Sequence, residues 1–155
     1  MEKLVERILT KEWLEKFEIT KVREIERGKP EEFENELIVE LREKKECKPK
    51  DVPKETELES KGFCDPLELI DFPLGGIATY IKFYKRRWRD KKSKKEYQNS
   101  YDLRYPKTKL TKRFAIFLKA EDRDKVNQLL CAVPYLHDLI EEDFQMVQRG
   151  AVRIP

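Results

Sequence analysis

Asp71–Trp88 reads DFPLGGIATYIKFYKRRW, and its interpretation decides the rest of the chain. Asp71-Phe72-Pro73 leads into Gly75-Gly76, a pair suited to a tight turn and lacking the spacing of a phosphate loop. A long strand is predicted from Ile77 to Arg89. Its residues change from apolar (Ile77, Tyr80, Ile81, Phe83) to cationic (Lys85, Arg86, Arg87, Arg89), with Trp88 inside the basic run. Cations continue at Lys91, Lys92, Lys94 and Lys95, so nine of the fourteen residues from Lys82 to Lys95 are Lys or Arg, against the single acid Asp90. Asp90–Lys94 reads as a polar turn, and Tyr97, Asn99, Tyr101 and Leu103 alternate as a returning strand. A hairpin that starts buried and ends in a basic, aromatic tip suits a protein that grips a polyanion.

Upstream, Leu58–Phe63 and Leu67–Asp71 read as two short strands around Asp65-Pro66. Residues 44–57 (KKECKPKDVPKETE) are polar and contain two prolines, the composition of a linker or exposed loop. Before it, Phe17–Ile25 alternates apolar and polar residues, Gly28-Lys29-Pro30 interrupts, and Leu37–Leu41 resumes, which predicts an antiparallel hairpin. Leu4, Val5, Ile8, Leu9 and Trp13 recur at helical spacing. They predict one helix or two short ones over residues 2–16, with Thr10 as the cap of a second turn.

Downstream the period changes to 3.6. Thr108 is the expected N-cap of a helix whose apolar face is Leu110, Phe114, Phe117 and Leu118. A second helix carries Val126, Leu129, Leu130 and Val133. A third starts at Pro134, carries Leu136, Leu139, Ile140, Phe144 and Val147, and ends at Gly150. The fold class is therefore α+β. The expected segments are 1–46 (helix and hairpin), 47–57 (linker), 58–105 (basic β-module) and 106–150 (helices).

The 155 residues are 39% apolar and 42% charged, enough apolar chain for a core. The net charge of +3 conceals an asymmetry: residues 1–76 sum to −6, residues 77–119 to +12 and residues 120–155 to −3. Cys47, Cys64 and Cys131 form no CxxC pair, which argues for reduced thiols and against a zinc site. The N-terminal residues lack the apolar core of a signal peptide, and no apolar run reaches membrane-span length. A cytoplasmic protein with no membrane partner is expected.

Several short motifs occur together in one order. Trp13–Thr20 (WLEKFEIT), a KPKDVPKE loop, Leu58–Phe63 (LESKGF), Asp71–Gly76 (DFPLGG), Tyr80–Trp88 (YIKFYKRRW) and Lys109–Lys119 (KLTKRFAIFLK) resemble the N-terminal region of bacterial insertion-sequence transposases of the ISAon type, relatives of the ISL-three type. The resemblance covers residues 8–119, roughly. It implies recognition of transposon ends in double-stranded DNA, with a helix-turn-helix and then a nuclease domain following in that family, and the nuclease fold is not expected within these 155 residues. In the ISL-three type this position continues into a zinc ribbon with paired cysteines. Here Asp90–Ser100 (DKKSKKEYQNS) takes that place without a cysteine, so no metal is expected, and Trp88, Tyr97 and Tyr101 are the candidates to hold the hairpin by packing.

The expected DNA-binding residues are Lys82, Lys85, Arg86, Arg87, Trp88, Arg89, Lys91, Lys92, Lys94 and Lys95 on the hairpin, with Lys109, Lys112 and Arg113 on the following helix. Arginine suits forked contacts to phosphate or guanine. Trp88 reads more naturally as core than as a stacking residue, and the lysines of Lys109–Lys119 could equally be a solvated face. His137, Asp138, Glu141, Glu142 and Asp143 read as the solvated face of the last helix. With one histidine and no nucleophile motif, catalysis and a cofactor are not expected. The competing reading is a protein-interaction or regulatory module derived from a transposase fragment. It would pair with a catalytic transposase subunit or with itself, through the acidic flanks or the 136–147 stripe.

Overall fold

The structure, a computed structural model, describes residues 2–27, 34–119, 123–132 and 134–152. Its elements are α1 (Glu2–Ile8), α2 (Lys11–Lys16), β1 (Phe17–Arg27), β2 (Glu34–Glu43), β3 (Leu58–Phe63), β4 (Leu67–Leu74), β5 (Ile77–Tyr84), β6 (Arg86–Asp90), β7 (Glu96–Tyr97), α3 (Lys112–Lys119), α4 (Arg123–Ala132) and α5 (Pro134–Val152). Two small sheets with antiparallel strands and a set of helices make the fold α+β. One sheet has the order β1-β2-β5-β4 and the other β3-β6-β7. No helix among the described residues is long and apolar enough to cross a membrane.

The chain divides into two compact units that are not consecutive in sequence. The first comprises Met1–Val22, Val39–Leu67 and Lys82–Tyr101, and the second Arg23–Ile38, Glu68–Ile81 and Asp102–Pro155. Residues of β1, β2, β4 and β5 fall in both units.

In the first unit, Thr10 separates the two N-terminal helices. Its backbone is extended and its hydroxyl accepts the Trp13 N–H at 3.1 Å, which satisfies one of the free donors at the start of α2. Trp13 and Phe17 then meet the Phe83 ring edge-on, each with centroids 5.3 Å apart. Phe17 also packs at 5.1 Å from Tyr101. Rings tilted in this way contribute about 0.5–1.5 kcal/mol per pair beyond simple burial.

The predicted long strand Ile77–Arg89 is corrected. It is two strands in different sheets, broken at Lys85, whose carbonyl accepts the Cys64 N–H at 2.8 Å. β6 runs antiparallel to β3, with Ser60 opposite Trp88 and Phe63 opposite Arg86. The register shifts between those pairs, around Gly62 with φ +86°, the geometry of a bulge that needs glycine. The returning strand is shorter than expected, Glu96–Tyr97 only. Gly75 and Gly76, φ +56° and +76°, form the expected tight turn between β4 and β5; two positive φ values match the twist of paired strands.

In the second unit, Ile70, Ala78, Tyr80, Leu110, Phe114, Leu118, Val126, Leu136, Ile140 and Val147 form one buried cluster. Thr108 is not the cap of α3. The segment 109–111 is extended and pairs with β4: the Ile70 N–H donates to the Lys109 carbonyl at 2.7 Å and the Thr111 N–H to the Ile70 carbonyl at 3.0 Å. Leu110 is therefore buried from a strand-like position, and Thr111 caps the helix, accepting the Phe114 N–H at 3.3 Å. α5 runs through Gly150 to Val152 instead of ending there. The expected breaker Gly28-Lys29-Pro30, Val133 of the second helical stripe, and the side chains of Cys131 and His137 lie outside the described residues.

Candidate nucleic-acid interface

Strand alternation decides which cations can reach a ligand. Along β6, Arg86, Trp88 and Asp90 are buried, whereas Arg87 is exposed and Arg89 half-exposed. Successive side chains of a strand point to opposite faces, so the basic run is split in two.

Arg86 belongs to the inner set, although the sequence groups it with the expected DNA contacts. It is 8% exposed. Its Nε donates to the Glu43 carbonyl at 2.8 Å and an Nη donates to Ser60 Oγ at 3.0 Å. Its guanidinium carbon lies 4.7 Å from the Phe63 ring centre. Trp88, 2% exposed, is likewise core and not a stacking surface.

The partner of this arrangement is Glu43, a residue that no sequence signal singles out. Its carboxylate is fully buried. It accepts the Arg86 backbone N–H at 3.0 Å, the Asn99 amide at 3.0 Å and the Tyr101 hydroxyl. Asn99 also donates to the Cys47 carbonyl at 2.6 Å. Burial, followed by the bond to Glu43, pushes the Tyr101 phenol far above its ordinary value. Burial also raises the Cys47 thiol, opposed by Lys16. Alternation places Glu43 inward on β2, and the approach of Asn99 and Tyr101 from more than fifty positions away is invisible in sequence.

The outer set is Arg87, Arg89, Lys91, Lys92, Lys94 and Lys95. The four lysines are exposed. Arg87 donates to the Lys61 carbonyl at 3.1 Å and Arg89 to the Lys94 carbonyl at 3.4 Å, contacts that orient guanidinium groups without neutralising them. Asp90 builds the turn that carries the lysines. Its Oδ1 accepts the Glu57 N–H at 3.2 Å and the Lys92 N–H at 3.4 Å, and its Oδ2 accepts the Ser93 hydroxyl at 2.7 Å. Its backbone N–H donates to the Lys95 carbonyl at 2.9 Å, and Lys94 takes φ +62°. These bonds, the Ser93 hydroxyl foremost, hold the Asp90 carboxyl below the usual carboxylate range. The one acid in the run is thus the keystone of its turn. Lys82 and Lys85 are half-buried on the approach to the hairpin.

The linker 47–57 is an anchored loop, tied by the Cys47 carbonyl to Asn99 and by Glu57 to Asp90 and Lys91.

Lys109, Lys112 and Arg113 lie in the second unit. Arg113 is committed to buried Asp71, its Nε donating to Oδ1 at 3.0 Å and an Nη pairing with Oδ2. The Thr111 hydroxyl donates to the same Oδ1 at 2.7 Å. Arg113 is therefore a pin between α3 and β4, with its guanidinium engaged by Asp71. Lys112 pairs with Asp102, both exposed. Lys109 is exposed, and its backbone N–H donates to Asp143 at 3.0 Å. Asp138, Glu141 and Glu142 are exposed on α5. Among the described residues, no group of three or more His, Cys, Asp or Glu is placed to hold a metal ion.

The fold and the surface define an α+β protein presenting a basic hairpin. The chain matches no family model, no curated protein and no solved structure.

Proposed function

We propose that this chain is a cytoplasmic, double-stranded-DNA-binding module of the kind found at the N-terminus of insertion-sequence transposases, recognising transposon ends and performing no catalysis itself. The observation that carries the reading is the outer face of the hairpin. Six cations, Arg87, Arg89, Lys91, Lys92, Lys94 and Lys95, surround a turn whose only carboxylate is already saturated by hydrogen bonds. Such a cluster releases counterions when it neutralises phosphates, a gain that depends strongly on salt. The motif order from Trp13 to Lys119 supports the transposase assignment.

The test is duplex binding across a salt series. Changing Arg87, Arg89 and Lys91 to Ala should weaken binding and reduce the slope of log K against log salt by about 0.9 for each phosphate no longer neutralised. Equal affinity and slope in parent and variant would leave the hairpin a solvated tip and remove the reading. Incubation with supercoiled DNA and Mg²⁺ or Mn²⁺ should yield no nicked product; nicking abolished by a carboxylate substitution would refute the non-catalytic part.

A further inference from the structure

A groove of about 700 Å³ opens in the first unit, between the anchored loop 46–51 and residues 97–101. The volume falls within the ~300–1,000 Å³ typical of small-molecule sites. Lys16, Lys48 and Lys50 line it, together with Tyr97, Gln98 and Asn99. All three lysines are exposed, and none is in an ion pair among the described residues. Glu46 and Asp51 also line it, leaving a lining charge of three cations minus two carboxylates, or +1. That balance matches the single negative charge of one phosphodiester.

The walls are built rather than incidental. Asn99 bridges Glu43 and the Cys47 carbonyl. The Lys16 carbonyl accepts the Lys44 N–H at 2.9 Å and the Cys47 thiol at 3.7 Å. The Gln98 amide oxygen accepts from the Cys64 thiol at 3.1 Å, which leaves the Gln98 amide nitrogen as a donor. A concave site cannot receive a base that is still stacked in a duplex; the base must be unpaired or extruded to enter. An aromatic ring beside lysines and side-chain amides is the usual chemistry of such a site.

We propose that this groove holds one unpaired nucleotide of a DNA strand, its phosphate on Lys16, Lys48 and Lys50 and its base against Tyr97. The assignment rests on the DNA-binding reading above and adds a second, single-stranded contact distinct from the hairpin's hold on duplex.

Two measurements on the full chain test it. In fluorescence anisotropy, the triple variant Lys16→Ala, Lys48→Ala, Lys50→Ala should bind a short labelled oligothymidylate about tenfold more weakly, or worse, while its duplex affinity stays within about twofold. In the unaltered protein, saturating oligothymidylate should slow alkylation of Cys47, which lines the groove, as read by peptide mass spectrometry. An unchanged oligothymidylate affinity in the variant, or an unchanged Cys47 rate, overturns the groove assignment. Protection of Cys47 by thymidine 5′-monophosphate but not by the oligonucleotide assigns a free nucleotide instead and overturns the strand. A parent that binds duplex through Arg87 and Arg89 but no single strand sinks the groove alone. A parent that binds neither sinks the DNA-binding reading itself.

Discussion

Arg86 sits in the most basic stretch of the chain and serves the interior. Truncating it removes the bonds to the Glu43 carbonyl and Ser60 Oγ and empties the space beside Phe63. Arg86→Ala should therefore cost about 3 kcal/mol of stability, the scale of a disrupted buried polar network, measured by urea denaturation. A change below about 0.5 kcal/mol, the range of ordinary surface substitutions, would contradict the buried role. Asp90 makes a different prediction. Its carboxyl is held below the ordinary range in the folded chain, so its contribution to stability is present above the unfolded aspartate value of about 3.9. That contribution fades as pH falls from there through the lower folded value. Hydrogen exchange at the Glu57, Lys92 and Ser93 amides should accelerate as pH falls below about 4 relative to Asp90→Asn, after correction for intrinsic rates. Parallel profiles in parent and variant would show that the carboxylate does not hold the turn.

Among the elements, β6 and α3 show how a basic segment divides its side chains. On β6 the period of two sends Arg86 and Trp88 inward and Arg87 and Arg89 outward. On α3 the helix period does the same work, with Phe114, Ala115 and Leu118 buried and Lys112 exposed. The start of α3 depends on Thr111, which caps the helix and donates to Asp71. Thr111→Ala should destabilise the protein by about 1–2 kcal/mol, because it removes the cap and one of the bonds to a buried carboxylate. Thr108→Ala should cost less, since its hydroxyl donates to Tyr105 and accepts from Leu110 in a turn outside the helix. Thermal melts of the two variants compare them directly, and the reverse ranking would restore Thr108 as the cap.

At the level of the whole molecule, the unit that carries the hairpin is held by rings and by buried Glu43. Trp13, Phe17, Phe83 and Tyr101 form a continuous set of ring contacts, and Asp90 closes the turn through both its backbone and its carboxylate. Stability should therefore be indifferent to chelators: melting temperature in EDTA should equal that in added zinc, and elemental analysis should find no stoichiometric zinc. Unfolding on chelation would show a structural metal.

The sequence alone determined the periods, and with them the α+β class, the helical N-terminus, the tight Gly75-Gly76 turn and the basic hairpin. Thr10 was legible as a cap because its partner, Trp13, is three residues away. The tertiary structure decided what local pattern cannot carry. Two strands replace one at Lys85 because the Cys64 N–H claims its carbonyl. Leu110 is extended rather than helical because 109–111 hydrogen-bond to β4. Arg86 and Arg113 are tied inward because Glu43 and Asp71, forty or more positions distant, approach them. Charge density predicted a grip on phosphate, but which cations remain free to make it depends on where carboxylates and carbonyls arrive from elsewhere in the chain, and only the folded structure sets that.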